Sequence, residues 1–389
     1  MAAKSWTLTD LAKDEHRDAL QLGADDLGTA AQGCRVTKRT LRGGLREGVD
    51  VVEVDNGRFR FTVIPTRGMG IWRGWLGQLE LGWRSPNQGP VHPAFVPLME
   101  EGGLGWLDGF DEWIVRCGLE SNGAPALDER GKVLYPLHGK IANRPAHRVV
   151  VSVDEQTGEI AVSGQVDETR FHFQKLRLHT TIKTRPGEAG LRIHDEIENL
   201  SASPAGAQLL YHVNFGRPLL ESGSRFVAPL KTVVPRNAHA ASGIKTWDSY
   251  AAEEPGFEEQ VYFLQLLADK NGATRSLLKD AHSTKGASLH FNVKQLPWYT
   301  VWKNTTAAED GYVTGIEPGT NFPNPRPYEA TQDRVVKLAG RARAAFDLGV
   351  EIHADAGGVQ RAEKSIAAIQ GDTQTKVFDH PQDGWCAPG

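Results

Sequence analysis

HRVVVSV (147–153), EIAVSGQV (159–166), LRLHTTI (176–182) and LRIHDEI (191–197) follow one another closely, and how they are read decides the fold. Apolar residues recur at every second position or crowd into short runs, and β-branched residues are frequent. That is the period of a strand with one face on a core, not of a helix. RPGEAG (185–190) supplies the Gly and Pro that a hairpin turn needs. Strand succeeds strand with no room for a crossover helix, so the pairing is expected to be antiparallel.

The same pattern runs outward in both directions. VDVVEV (49–54) and FRFTVIP (59–65) precede these strands, and VYFLQLL (261–267), SLHFNV (288–293), YTVWKN (299–304) and AAFDLGVEI (344–352) follow them. DNG (55–57) and DKNG (269–272) read as further hairpin turns. The 42 glycines and 21 prolines suit a chain rich in turns and bulges. No linker-like break in composition and no fixed-period repeat divides the chain after residue 30. The expected architecture is all-β: a large antiparallel β-sandwich over residues 33–389. Residues 1–32, where Leu8, Leu11, Ala12, Leu20 and Leu22 are spaced helically among Asp, Lys and Glu, are expected to form a short helical appendage.

Bulk properties narrow the function. Across 389 residues, 44 basic and 48 acidic side chains are interspersed and the net charge is −4, so no footprint for nucleic acid or an anionic membrane stands out. Cys34, Cys117 and Cys386 are far apart and lack C-x-x-C spacing, which suits a reducing compartment. The polar N-terminus does not read as a signal peptide, and no window reaches the roughly 20 apolar residues of a membrane span. The expectation is a soluble, cytoplasmic protein whose partner is a small neutral molecule, with self-association into a homo-oligomer left open.

One region resists strand assignment. Residues 92–143 carry too much Gly, Pro, Trp and Asp for regular sheet, and long excursions from a rigid sheet are commonly binding loops or lids. Trp106 and Trp113 lie there with Asp108, Asp111 and Glu112, a mixture of flat apolar faces and carboxylates that suits sugar binding. The alternative is an aromatic cluster beneath a loop.

Three stretches set a titratable group beside Gly or Pro at a strand edge: YPLHGKIANRP (135–145) with His138, LLYHVNFGRPLL (209–220) with His212, and YVTGIEPGTNFPNPRP (312–327) with Glu317. A lone histidine in an apolar strand can simply be a hydrogen-bonded core residue. A glutamate in an apolar strand must be paired, coordinated or catalytic. Lys303 in VWKN either pairs with Glu317, contacts a ligand, or snorkels to water. His92, His138, His212 and Glu317 are N and O donors of the kind metals accept, but no H-x-H or H-E-x-x-H pair is present. RGMGIWRG (67–74) and GGLGWLDG (102–109) miss the G-x-G-x-x-G spacing of nucleotide loops. No cofactor and no metal are therefore expected.

Taken in order, LHG, YHVNFG and GIEPGTN, together with RGM and CGL, resemble the galactose mutarotase (aldose 1-epimerase) superfamily, in particular its aldose 1-epimerase-like DUF4432 branch, from about residue 50 to 350. The resemblance implies a β-supersandwich. It also implies His212 as general acid on the ring oxygen, Glu317 as general base on the anomeric hydroxyl, and His138 as a substrate-holding residue. Arg67 and Arg144 are the candidates for the family's substrate-binding arginine, and Asp248 for its later aspartate; neither motif aligns clearly. Opening a pyranose hemiacetal requires a base at O1 and an acid at O5, which a Glu/His pair supplies without metal or nucleotide. The expected function is interconversion of sugar anomers. Two other readings stay open: metal-assisted epimerase, isomerase or lyase chemistry on a sugar acid or keto sugar, and carbohydrate binding without catalysis.

Overall fold

The computed structural model describes residues 3–388. Its strands form two large sheets, one of 10 strands and one of 14, with a small hairpin beside them. The four opening stretches become Arg148–Asp154, Ile160–Thr169, Lys175–Thr184 and Gly190–Asn199, consecutive antiparallel neighbours in the 10-stranded sheet. Arg343–His353 returns from far along the chain to pair with Gly190–Asn199. At the middle of the 14-stranded sheet lie, side by side, Gln260–Leu266, Trp298–Asn304, Val313–Gly319, Ala205–Phe215 and Ile114–Leu119.

The N-terminal segment differs from its expected form. Ala3–Asp10 is a strand hydrogen-bonded to Arg148–Asp154, Leu20–Leu22 pairs with the strand Arg35–Thr40 of the larger sheet, and helix is confined to Ala24–Leu27 and short 3-10 turns. Leu8, Leu22, Leu27 and Ala31 are buried in the main core. The helical spacing misled because several of these leucines reach that core from separate short elements rather than from one helix face.

The two sheets bury different patterns. Along Lys175–Thr184 every second residue is buried, as a strand with one wet face requires. Val313–Gly319 and Ile114–Leu119 are buried at every position. Their inward residues, such as Ile114 and Ile316 with Tyr211 and Val213 of the neighbouring strand, join the core between the sheets. Outward residues pack into a second cluster that includes Trp106, Phe110, Val115, Cys117, Leu210 and Val313. The segment 92–143 supplies part of that outer cover.

A buried ion pair ties the sheets together. Arg116 donates to Asp195 across the core through Nε (2.5 Å) and Nη2 (3.0 Å), and Tyr211 donates its hydroxyl to the same carboxylate at 2.9 Å. The remaining guanidinium donors reach the Met69 carbonyl and the Thr180 hydroxyl. Such a pair is tolerable in a core only when its hydrogen bonds are met in this way. Among the described residues no helix is long and apolar enough to cross a membrane.

Candidate active site

The site follows from strand alternation on two neighbouring strands. On Ala205–Phe215, Leu209, Tyr211, Val213 and Phe215 point into the main core, which turns His212 and Asn214 to the outer face. Asn214 lies opposite Gly315 on the next strand, and Glu317 shares Gly315's outward face. The result is an approach of 3.2 Å between His212 Nε2 and Glu317 Oε1. Gly315 makes this possible: a Cβ there would fall 2.2 Å from Glu317 Oε1 and 2.9 Å from His212 Cε1.

Hydrogen bonds define the state of the imidazole. Asn214 donates its Nδ2 to the carbonyls of Glu112 (3.0 Å) and His212 (3.2 Å), so its Oδ1 faces His212 Nδ1 as an acceptor at 2.5 Å. Nδ1 therefore carries a proton, and Nε2 faces Glu317. His212 is 4% exposed and Glu317 2%. Burial, reinforced by His138, lowers the His212 pKa well below the usual imidazole range. Burial, together with Glu259, raises the Glu317 carboxyl well above the usual range. Glu317 Oε1 has no hydrogen-bond partner in the protein: the contact with Nε2 is close but not aligned as a hydrogen bond.

A cavity of about 290 Å³ opens onto this pair. His138 borders it with its ring 5.2 Å from that of His212, its Nδ1 donating to the Asn122 carbonyl at 3.0 Å. Burial pushes the His138 pKa down to about 4. Trp106, Phe110 and Trp302 form aromatic walls, with ring centroids 6.1, 5.3 and 5.5 Å from His212. Glu259 lines the same cavity and accepts from Arg236 Nη2 (3.0 Å) and Trp302 Nε1 (2.6 Å). Thr300, the cross-strand partner of Glu317, also lines it, and its hydroxyl is without a partner. Half-exposed Leu104 and Leu107 stand at its mouth.

Of the residues singled out in the sequence, His212, Glu317, His138 and Trp106 meet here. The others do not line the cavity. Trp113 is buried in the main core against Phe59 and Phe215. Asp111 accepts from Trp72 Nε1 and Arg73 Nη2, and burial raises its pKa to about 6 despite those partners. Arg67 spends its donors on Glu112, the carbonyls of Val91 and Gly109, and Asn143, pinning the 92–143 segment to the sheet. Arg144 is exposed beside a separate depression that includes Glu120 and Tyr135.

Lys303 falls on the inward parity of its strand. It is 4% exposed, donates to the Thr246 carbonyl at 2.8 Å, and burial lowers its pKa to about 8, so it neither pairs with Glu317 nor snorkels to water. Asp248 pairs with Arg225. Asn214, Gly315, Thr300, Trp302, Arg236 and Glu259 escaped the sequence reading. The signal for Thr300 and Trp302 was available in their shared parity within YTVWKN; Glu259 and Arg236 carried none.

Among the described residues no group of three or more His, Cys, Asp or Glu side chains is placed to hold a metal ion. The arrangement offers one buried proton donor and one acceptor beneath aromatic walls, which can move two protons at neighbouring oxygens of a polyhydroxylated ligand.

Comparison with known proteins agrees with this architecture. A crystal structure of a "putative aldose 1-epimerase" from Klebsiella pneumoniae subsp. pneumoniae MGH 78578 superposes with a TM-score of 0.94 at 38% identity, covering 98% of this chain and 99% of that one. A galactose mutarotase-like protein from Clostridium acetobutylicum (TM-score 0.55, 14% identity, 82% and 98% covered) shares the fold. So does a galactose 1-epimerase from Lactobacillus acidophilus NCFM (TM-score 0.55, 11% identity, 82% and 98% covered). No curated protein sequence matches the chain. The model of the DUF4432 family, a domain of unknown function, matches residues 46–352, and with the galactose mutarotase-like sandwich described above the chain belongs to that family.

Proposed function

We propose that the chain is an isomerase of the aldose 1-epimerase kind, interconverting the anomers of a sugar by acid–base catalysis. The observation that carries this reading is the 3.2 Å approach of His212 and Glu317, both buried, at the floor of an aromatic-walled cavity. Anomer exchange breaks and remakes one C–O bond and needs a proton removed at O1 and another delivered at O5. A donor and an acceptor within one ring's width of each other meet that need. Aromatic faces at Trp106, Phe110 and Trp302 suit the C–H faces of a pyranose, while Glu259, Thr300 and His138 are placed for hydroxyl groups.

The test is direct measurement of anomer interconversion by NMR exchange spectroscopy over a panel of aldoses. His212→Gln and Glu317→Gln should each lower turnover by about 10²-fold or more while melting temperature and sugar affinity change little. Fully active, stable variants would end the catalytic assignment. Turnover should also survive exhaustive chelation; loss restored by a divalent ion would favour metal-assisted chemistry.

A further inference from the structure

We infer that Asn122 and Asn321 are positioning residues: their paired side-chain amides lock the loop that carries His138 to the end of the strand that carries Glu317, and so set which edge of the His138 ring a ligand meets. This rests on the reading of the cavity as a sugar site. Asn122 follows the strand Ile114–Leu119 and Asn321 follows Val313–Gly319, yet the two side chains meet across 199 residues of sequence. Asn122 donates its Nδ2 to Asn321 Oδ1 at 2.9 Å, and Asn321 donates its Nδ2 to Asn122 Oδ1 at 2.8 Å. Neither amide can be turned over, because Asn321 Nδ2 also donates to the Phe322 carbonyl at 2.6 Å, and a carbonyl only accepts. The residues are 0% and 1% exposed. Amides so placed have no water to turn to, and each depends on the other.

The main chain beside the pair carries its effect to His138. The Asn122 carbonyl accepts from His138 Nδ1 at 3.0 Å, and the Gly123 carbonyl accepts from the His138 backbone N–H at 2.9 Å. A carbonyl has no proton to give, so Nδ1 is the donor and Nε2 is the ring nitrogen left for the cavity. His138 also holds a φ of 56°, a left-handed conformation that a non-glycine residue keeps only where its surroundings dictate it. The next residue shows how close those surroundings are: a Cβ on Gly139 would run into the carbonyl oxygens of Ser121 and Gly118.

Past the pair, Ala124 donates its N–H to the Pro323 carbonyl at 2.9 Å, and Ala124, Pro125 and Pro323 line the cavity together with His138. Neither Asn122 nor Asn321 lines it; they stand behind the wall. Apolar contact would hold the two loops together but let them slide, whereas two reciprocal hydrogen bonds set both spacing and angle. The His138 ring lies 5.2 Å from that of His212 and 4.6 Å from that of Trp106. A slip between the loops would therefore move Nε2 relative to the strands that hold His212 and Glu317, and a sugar hydroxyl resting on Nε2 would lose its place.

Nitrogen NMR and sugar kinetics test this together. In ¹⁵N-labelled wild-type protein the His138 ring, assigned by its disappearance in His138→Gln, should show Nδ1 protonated; a bare Nδ1 would overturn the inference. Asn321→Ala, and the milder Asn321→Ser, should add a ring population with Nδ1 bare, and an unchanged ring spectrum in either folded variant would also overturn it. With D-glucose, D-galactose and D-xylose as probes, Asn321→Ala should raise KM about fivefold, the worth of one hydrogen bond, while kcat changes far less because His212 and Glu317 stay on their own strands. In the His138→Gln background the same substitution should raise KM no further, since the pair acts through His138. A purely structural Asn321 would lower melting temperature with KM unchanged, or raise KM equally in both backgrounds, and either result counts against the inference. If wild-type protein interconverts none of the three sugars, the functional reading fails, while the ring spectra still decide the positioning.

Discussion

Gly315→Ala places one methyl group where the acid–base pair has no room for it. The new Cβ would stand 2.2 Å from Glu317 Oε1, against about 3.4 Å for ordinary van der Waals contact, and 2.9 Å from His212 Cε1. Gly315 is not among the positive-φ glycines, so the backbone accepts alanine and the conflict is purely one of space. Relief requires the carboxylate to retreat by about 1.2 Å, and a misplacement of about 1 Å costs on the order of 10²-fold in rate. Overpacking of this size also costs about 1–3 kcal/mol of stability, which leaves a folded protein to assay. Melting temperature and anomer interconversion measured on the same preparation should show a modest fall in the first and a fall of about 10²-fold or more in the second, with sugar affinity changed far less. A folded Gly315→Ala protein that turns over at the wild-type rate would refute the reasoning, because it would show that catalysis does not depend on how close Glu317 lies to His212.

Two further outcomes are expected. Trp106→Ala and Trp113→Ala each remove a fully buried indole and should each cost about 3–5 kcal/mol of stability, but only Trp106→Ala, at the cavity, should also weaken sugar affinity per folded molecule; calorimetry of unfolding and of sugar binding separates them. His138, with a folded pKa of about 4 against an ordinary 6.5, gives stability that is present above 6.5 and lost as pH falls from 6.5 through 4, since the unfolded chain binds the proton first. Urea midpoints over that window should fall less steeply in His138→Gln than in wild type, and parallel slopes would remove His138 from the account.

Much of the fold was legible because the strands of the 10-stranded sheet advertise themselves. HRVVVSV and LRLHTTI each have one wet face, so polar and apolar residues alternate and the period is visible. His212 and Glu317 stood out for a different reason: a titratable side chain in an otherwise apolar strand calls for an explanation, and the two fall 3.2 Å apart. The N-terminal leucines were misread because the separation between apolar residues looks the same whether one helix or several short elements bring them inward. Arg67, a candidate by resemblance alone, and Asp111 and Trp113, on an irregular segment without a period, fall away from the cavity. Density of tryptophan and carboxylate marks 92–143 as special, but without a repeat nothing tells which side chains face the cavity and which face the sheet.

That same segment explains why the pair behaves as it does. An antiparallel sheet can leave its second face in water, and there Glu317 would be an ordinary ionised carboxylate and His212 an ordinary imidazole. Instead Val313–Gly319 is buried on both faces, because Trp106, Phe110 and their neighbours roof its outer side. The roof is held by hydrogen bonds from Arg67 to Gly109, Glu112 and Asn143, and Glu112 also offers the backbone carbonyl that orients Asn214. Arg67 thus lies outside the cavity yet bears on two features of the proposed site: the cover over Glu317 and the Glu112 carbonyl that orients Asn214. Its side chain is buried and four of its five N–H donors are committed to that anchoring, away from the cavity.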